Sequence, residues 1–347
     1  MQDGELSYVG HPPFSVELLA LEGIRCCQGS RPTVKRLFKL EVRSAELLLT
    51  QQGAEGMSDQ SICAVIVTYH PSARMVDKLS DILVQVQGLV VVDNNSAEEE
   101  LRTLRAASQD AGFQLIENEE NLGIAAALNH GIQWAIAKGY QWVILLDQDS
   151  TITYEFVSHM FATWESHPER ERVCSIHPKY IDPDTGQEAL VRRAEDGGPI
   201  ISMTSGALMP TWVFTQLGWF ASDLFIDEVD TEYCLRIRAS GYLVIDSREA
   251  VLLHTTGHSQ GKVVLGFRFR PSFHSPMRRY YMARNRVVVY RRYFRRFPRW
   301  ILLFTIVSLR ETIKCLLAEP DRARKLRNMV LGTWDGLTGQ MGRRDGL

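Results

Sequence analysis

The pattern of apolar and polar positions changes at Cys63. Over residues 1–60 apolar residues come in isolated patches, at 18–21 and 47–49, with no strand alternation and only a faint helical pattern across 34–49. From Cys63 onward, apolar runs recur and each ends in polar residues. The first covers residues 63–69. The second, 89–92, closes on Asp93-Asn94-Asn95-Ser96, the third is 113–116, and the fourth, 142–146, closes on Asp147-Gln148-Asp149. Short continuous apolar runs without alternation predict strands buried on both faces. Amphipathic stretches at 73–86, 98–111 and 124–138 lie between them and predict helices, the last closed by Gly139. Strand–helix alternation at this spacing predicts an α/β fold, an open and mostly parallel sheet with helices on both faces. Ligands of such sheets bind beyond the carboxyl ends of the strands. Those ends are Thr68-Tyr69, Asp93-Asn94-Asn95 and Asp147-Gln148-Asp149.

The second half is mixed. Short strands are predicted at 173–176, 201–204 and 242–246, and a helix at 228–239 with Gly241 just beyond it. After Pro276 the pattern is helical almost to the end, divided by Pro298 and Pro320. Three regions follow: a leader over 1–60, an α/β domain over 61–275 and a helical C-terminal region over 276–347. A chain starting at Met57 would keep every motif, so the leader is expected to be disordered or an upstream misread of the start.

Hydrophobic residues make up 45% of the 347 and charged residues 23%, the balance of a globular protein. The most apolar stretch, Trp300 to Leu309, is about half the roughly 20 residues of a helical bilayer span. Six cysteines form no CxxC pair, and Cys63, Cys174 and Cys234 sit among apolar neighbours as reduced core residues would. No apolar segment follows a basic start, which argues against secretion and for a cytoplasmic protein.

The net charge of −2 conceals an asymmetry. Residues 251–347 hold 20 Lys/Arg against 5 Asp/Glu, a balance of +15, so residues 1–250 carry −17. Nine arginines fall between Arg278 and Arg299, interleaved with tyrosine and phenylalanine. That composition suits an anionic membrane surface, with Trp300, Ile301, Leu303 and Phe304 for shallow insertion, and equally a solvated helix face backed by core aromatics.

The chemistry begins with an absence: no GxGxxG follows the first strand and no GxxxxGK[ST] occurs, so a redox Rossmann enzyme and a P-loop NTPase are both poor readings. Asp93 at a strand end suits hydrogen bonds from a ribose or a pyrimidine imide, or an Asx turn capping the next helix. Asp147 and Asp149, alternate acids just past a strand with no adjacent Lys or Arg, repel one another unless a cation relieves them. Hard oxygen ligands of this kind favour Mg2+ or Mn2+ shared with substrate phosphates. Asp227, Glu228, Asp230 and Glu232 are more acids than capping a helix requires, and one suits a general base. His254, followed by Thr255, Thr256, Gly257 and His258, could complete a metal or diphosphate site.

Taken together these motifs resemble the family-two inverting glycosyltransferases of the GT-A fold, and more narrowly the bacterial rhamnosyltransferases that use dTDP-L-rhamnose, including those that build O-antigen and rhamnolipids. The residues that carry the resemblance are Ala64 to Tyr69, Val91 to Ser96, Asn121 to Gly131, Leu145 to Ser150, Leu224 to Tyr233 and Arg278 to Arg286, with Trp334-Asp335-Gly336 near the end. It covers about residues 62–342. The resemblance implies a Rossmann-like sheet and a lipid-linked or amphiphilic glycan acceptor. It implies a location on the inner face of the cytoplasmic membrane and no nucleic-acid partner. By position it implies that Asp93 contacts the base, with Thr68 and Asn95 around the nucleoside. Asn121, Gly123 and Asn129 would shape the donor pocket, Asp147 would lie near ribose and metal, and Asp149 would bind the metal. The family's Glu-Asp pair falls on Val229-Asp230, which makes Asp230 the expected base and leaves Asp227 as the alternative. Rival readings are a transferase of the same fold for another nucleotide sugar, a sugar nucleotidyltransferase, and a non-catalytic membrane adaptor. The second lacks its Gly-rich basic loop here, and the third leaves the acid clusters unexplained.

Overall fold

A computed structural model describes residues 61–72, 74–254, 262–264, 267–269 and 273–346. The leader, Cys26, Cys27 and the segment Thr255 to His258 lie outside the described residues.

The expected alternation is present. Strand β1 (Ile62–Thr68) is buried along its whole length. It is followed by α1 (Arg74–Leu83), β2 (Gly88–Asp93), α2 (Glu98–Ala111), β3 (Gln114–Glu117), α3 (Ile124–Ala137) and β4 (Trp142–Asp147). β3, β2, β1 and β4 lie side by side and parallel. Helix α2 opens with three glutamates, one of which, Glu100, accepts the Ala97 N–H at 2.8 Å, and Gly112 in left-handed backbone follows its last turn. Helix α3 turns Ala125, Ala127, Leu128, Ile132 and Ala135 toward the sheet.

Beyond β4 the sheet changes character. β5 (Thr151–Ile152), α4 (Phe156–Glu165), β6 (Val173–Ile181), β7 (Leu208–Pro210), α5 (Trp212–Leu217), α6 (Val229–Ala239) and β8 (Leu243–Leu253) complete a mixed eight-stranded sheet of order β3-β2-β1-β4-β7-β6-β8-β5. β7 runs antiparallel to both neighbours, while β6 and β8 run parallel to each other. The strand expected at 201–204 is a loop, and the pairing passes to β7 instead. Side chains take that loop's carbonyls: Tyr180 Oη donates to Met203 O at 3.0 Å and Cys234 Sγ to Ser202 O. A small ribbon, β9 (Lys262–Val264) with β10 (Phe267–Phe269), precedes the C-terminal helices. Cys63, Cys174, Cys234 and Cys315 are buried and unbridged, and burial pushes the first three thiols up to about 12.

The C-terminal region is three helices, α7 (Pro276–Tyr293), α8 (Pro298–Ala318) and α9 (Arg322–Thr338). α7 and α9 touch backbone to backbone: a Cβ on Gly332 would stand 2.3 Å from Tyr280 O. All three meet at one buried charge cluster. Glu319, just past α8, accepts from Arg279 of α7 at 2.7 Å and from Lys325 of α9 at 2.8 Å. The two cations, with the Cys315 thiol, hold its carboxyl below the usual range against the opposing effect of burial.

Two expectations for this region are corrected. Trp300 and Ile301 are buried in a cluster with Leu235, Val289 and Tyr293, so they are not free to insert into lipid. Six of the nine arginines from Arg278 to Arg299 are engaged within the chain: Arg278, Arg279, Arg286 and Arg292 with carboxylates, Arg284 and Arg291 with carbonyls. An amphipathic pattern read along one helix cannot show which side faces the rest of the molecule. No helix among the described residues is long and apolar enough to cross a membrane.

Removing one member of the buried cluster leaves the others as uncompensated charges. Glu319→Ala is expected to destabilise the fold by about 3–5 kcal/mol, read as a lowered melting temperature. Loss of under about 1 kcal/mol would mean that water already solvates Arg279 and Lys325.

Candidate active site

The carboxyl ends of β2, β1 and β4 lie at one height. Thr68 pairs with Asp93, and Val67 with Asp147, across neighbouring strands. Thr68 and Asp93 are completely buried. Asp93 Oδ1 accepts from the Thr68 hydroxyl at 2.9 Å and the Ser96 hydroxyl at 2.5 Å, and Oδ2 from the Ser96 N–H at 2.8 Å. It therefore orders its own turn, and the exposed Asn95, at φ 71°, stands at the tip.

Asn94 had no role assigned from sequence, yet it is a hub. Its amide donates to Asn121 Oδ1 at 2.9 Å, and its oxygen accepts from Asn118 at 3.1 Å and the Leu122 N–H at 3.0 Å. Asn121 also accepts the Gly123 N–H at 3.0 Å. Gly123 has φ 84°, and a Cβ there would stand 2.4 Å from Phe225 O, so only glycine lets α3 begin against that segment. The buried Asn129 exchanges hydrogen bonds with the backbone of Phe220 and ties α3 to that loop.

Past β4, Gln148 exchanges hydrogen bonds with the Tyr69 backbone and fixes the turn that presents Asp147 and Asp149. β5 pairs with the end of β8 and so carries His254 to this turn. Hydroxyls then link Ser205 to Ser150 at 2.7 Å and Ser150 to His254 Nδ1 at 3.3 Å, while Ser205 Oγ accepts the Asp147 N–H. Ligand atoms of Asp147, Asp149 and His254 all lie within 4.8 Å of one another. Burial, with Asp149 adding to it, raises the Asp147 carboxyl above its ordinary value, while His254 and Arg278 pull the other way. Two carboxylates and an imidazole at this spacing are a donor set that Mn2+ or Mg2+ fits.

The acidic segment before α6 sorts its charges. Asp227 takes Arg278 on both oxygens at 2.9–3.1 Å, and Glu228 takes Arg286 at 2.8 Å. Glu232, fully buried, takes Arg236, Arg292 at 2.8 Å and the Tyr293 hydroxyl at 2.8 Å. Among the described residues Asp230 faces no cation; its one close partner is Thr231, whose N–H donates at 2.7 Å. Burial first, then the charges of Glu228, Asp227 and Asp147, raise its carboxyl to about 7. Of the two aspartates that the sequence offered as a base, Asp227 is neutralised and Asp230 is poised near neutral pH.

The backbone here is strained. Phe225, Asp227 and Glu228 have φ of 66°, 65° and 62°, which side chains other than glycine adopt at a cost. Two residues of α7 hold the turn. Asn285 donates to the carbonyls of Leu224, Ile226 and Asp227 at 2.8–2.9 Å. Arg284, completely buried, donates to those of Asp223 and Leu224 and stacks over Tyr281. The sequence signal was present, since an Arg-Asn pair in a helix beside two tyrosines is unusual for a solvated face. Only the fold shows what it grips.

The raised carboxyl has a consequence for stability. Asp230 titrates at about 7 in the fold against an ordinary 3.8, so its contribution to stability is full below about 4 and is lost as pH rises through about 7. Asp230→Asn removes that loss. Its melting temperature is expected to exceed the wild-type value at pH 8, with the gap closing toward pH 4. A gap independent of pH would place the Asp230 carboxyl at its ordinary value.

Residues 63–206 match the family model described as Glycosyl transferase family 2. The dTDP-rhamnosyl transferase RfbF of Shigella flexneri is 29% identical over 300 residues, covering 82% of this chain and 98% of that protein. The solved mannosyltransferase PcManGT from Pyrobaculum calidifontis, in complex with GDP-Man and Mn2+, aligns over 87% of this chain and 86% of its own at 16% identity. Its TM-score of 0.53 is a likeness of fold. The half-sheet that ends on Thr68, Asp93 and Asp147 lies within the matched span. The family 2 match over residues 63–206 and the similarity to RfbF along most of the chain support a glycosyltransferase, on a fold like that of the mannosyltransferase.

Proposed function

We propose that this enzyme transfers L-rhamnose from dTDP-L-rhamnose to a hydroxyl of a lipid-linked or amphiphilic glycan, with inversion at the anomeric carbon. The observation that carries the reading is Asp230, among the described residues the one acid of its cluster without a cation, raised to about 7 and close enough to Asp147 to feel its charge. The similarity to a dTDP-rhamnosyl transferase supports the donor.

In this reading the turn ordered by Thr68 and Asp93, with Asn95 at its tip, receives the nucleoside, and the Asn94–Asn121 network with Gly123 fixes the neighbouring wall. Asp147, Asp149 and His254 would hold Mg2+ or Mn2+, whose charge offsets that of the donor diphosphate. Asp230, as carboxylate, accepts the proton of the acceptor hydroxyl while that oxygen bonds to the anomeric carbon. The bond from that carbon to the diphosphate oxygen breaks on the opposite face and dTDP leaves with the electron pair. Attack opposite the leaving group turns a β-linked donor into an α-L-rhamnoside, and no covalent enzyme intermediate is needed. Arg278 and Arg286 keep Asp227 and Glu228 from competing for the proton.

A screen of dTDP, UDP and GDP sugars, read as nucleotide release with a lipid-linked acceptor, tests the donor. Preference for another nucleotide sugar would overturn rhamnose and leave the transferase. Asp230→Asn is expected to lower transfer about 100- to 10,000-fold with dTDP affinity nearly unchanged. A rate above about a tenth of wild type would move the base elsewhere. Because the carboxylate is the active form, kcat/KM should fall about tenfold per pH unit below an apparent pKa of about 7. Asp149→Ala should weaken the dependence of dTDP binding on Mn2+, and an unchanged titration would make Asp149 a turn residue only.

A further inference from the structure

We propose that the outer faces of α8 and α9 form a docking surface for an anionic lipid bilayer. On α8 the positions Leu302, Ile306, Leu309, Ile313 and Leu317 recur every three or four residues, and all are exposed, Leu302 at 63%. The core side of the same helix is Trp300, Ile301, Cys315 and Ala318, so the stripe is a second apolar face pointing outward. α9 repeats the arrangement with Leu326, Val330, Trp334 and Leu337, Trp334 being 64% exposed. The stripes are neighbours: Leu309 and Thr312 of α8, with Val330, Trp334 and Leu337 of α9, line one groove of about 570 Å³ whose floor is α7. Scattered exposed apolar side chains need no explanation, but two aligned stripes across a shared groove do.

Charge decides between the surfaces that could cover them. From Pro298 to Thr338 five arginines are exposed, Arg299, Arg310, Arg322, Arg324 and Arg327, against one exposed acid, Asp321. A two-fold contact with a second copy would set this basic rim against itself. An anionic bilayer accepts both features, apolar side chains below the headgroups and arginines among the phosphates, with Trp334 at the interfacial level. The surface reaches the chemistry through α7, because Arg286 lines the groove and also bonds Glu228 in the acidic turn. The proposal goes beyond the function proposed above and stands whichever sugar is transferred.

The test is flotation of the full chain with phosphatidylcholine vesicles, with and without phosphatidylglycerol. Binding should be at least about tenfold stronger to the anionic vesicles, fall with added salt, and fall again in the double variant Leu309→Asp, Val330→Asp. Absence of binding, or equal binding by a folded double variant, overturns the proposal. So does a concentration-dependent dimer that Leu309→Asp dissociates, since a second copy would then cover the face. Should the double variant not fold, lipids brominated near the headgroup decide. Quenching of tryptophan fluorescence that is lost in Trp334→Phe supports insertion, and identical quenching in both proteins refutes it.

Discussion

The site depends on a turn whose backbone would not hold its shape alone. Phe225, Asp227 and Glu228 sit in left-handed conformation, and each such residue costs free energy that the surroundings must offset. Arg284 and Asn285 supply that offset from a helix some sixty residues downstream, by donating to the turn's carbonyls. The same turn accepts the first N–H of α3 at Phe225 O, 2.9 Å away, which is possible only because Gly123 has no side chain. One strained segment thus joins the nucleotide side of the sheet to the C-terminal helices.

Holding the turn also sorts its charges. Four acids in six residues would repel one another. α7 answers three of them, Asp227 with Arg278, Glu228 with Arg286 and Glu232 with Arg292, and Arg236 of α6 also takes Glu232. Asp230 receives burial and the repulsion of its neighbours, with no counter-ion among the described residues. The result is an acid with a pKa suited to taking a proton near neutral pH, selected by what its neighbours bind. The Asp147–Asp149 pair is arranged differently, as carboxylates kept close to His254 by a hydroxyl chain.

The basic C-terminal region divides its arginines between two tasks. Arg278, Arg284, Arg286 and Arg292 of α7 reach inward to the acidic segment around the start of α6, while Arg299, Arg310, Arg322, Arg324 and Arg327 on α8 and α9 are exposed beside apolar stripes. The inward set explains why so basic a segment follows so acidic a domain: a share of the opposite charges is paired across the two regions. Glu319 reverses the arrangement, as one acid buried among the cations of this region.

Much of this was legible along the chain. Continuous apolar runs closing on Thr68, Asp93 and Asp147 determined the parallel half of the sheet and pointed to the candidate site, because a strand buried on both faces leaves polar residues only at its ends. The Asp147–Asp149 pair and the acid cluster at 227–232 stood out by spacing alone. What the sequence left open depended on contacts between distant segments. The antiparallel β7 is three residues long, too short to give a pattern, and the more strand-like 201–204 lost its carbonyls to Tyr180 and Cys234. Asn129 ties α3 to the loop at Phe220, a contact between segments 91 residues apart that no local pattern announces. Trp300 and Ile301 looked free until α6 and α7 covered them. The choice between Asp227 and Asp230 could not be read locally, since the arginine that neutralises Asp227 lies 51 residues away. Local pattern records which residues can carry charge or be buried, and tertiary pairing decides which charge is left without a partner.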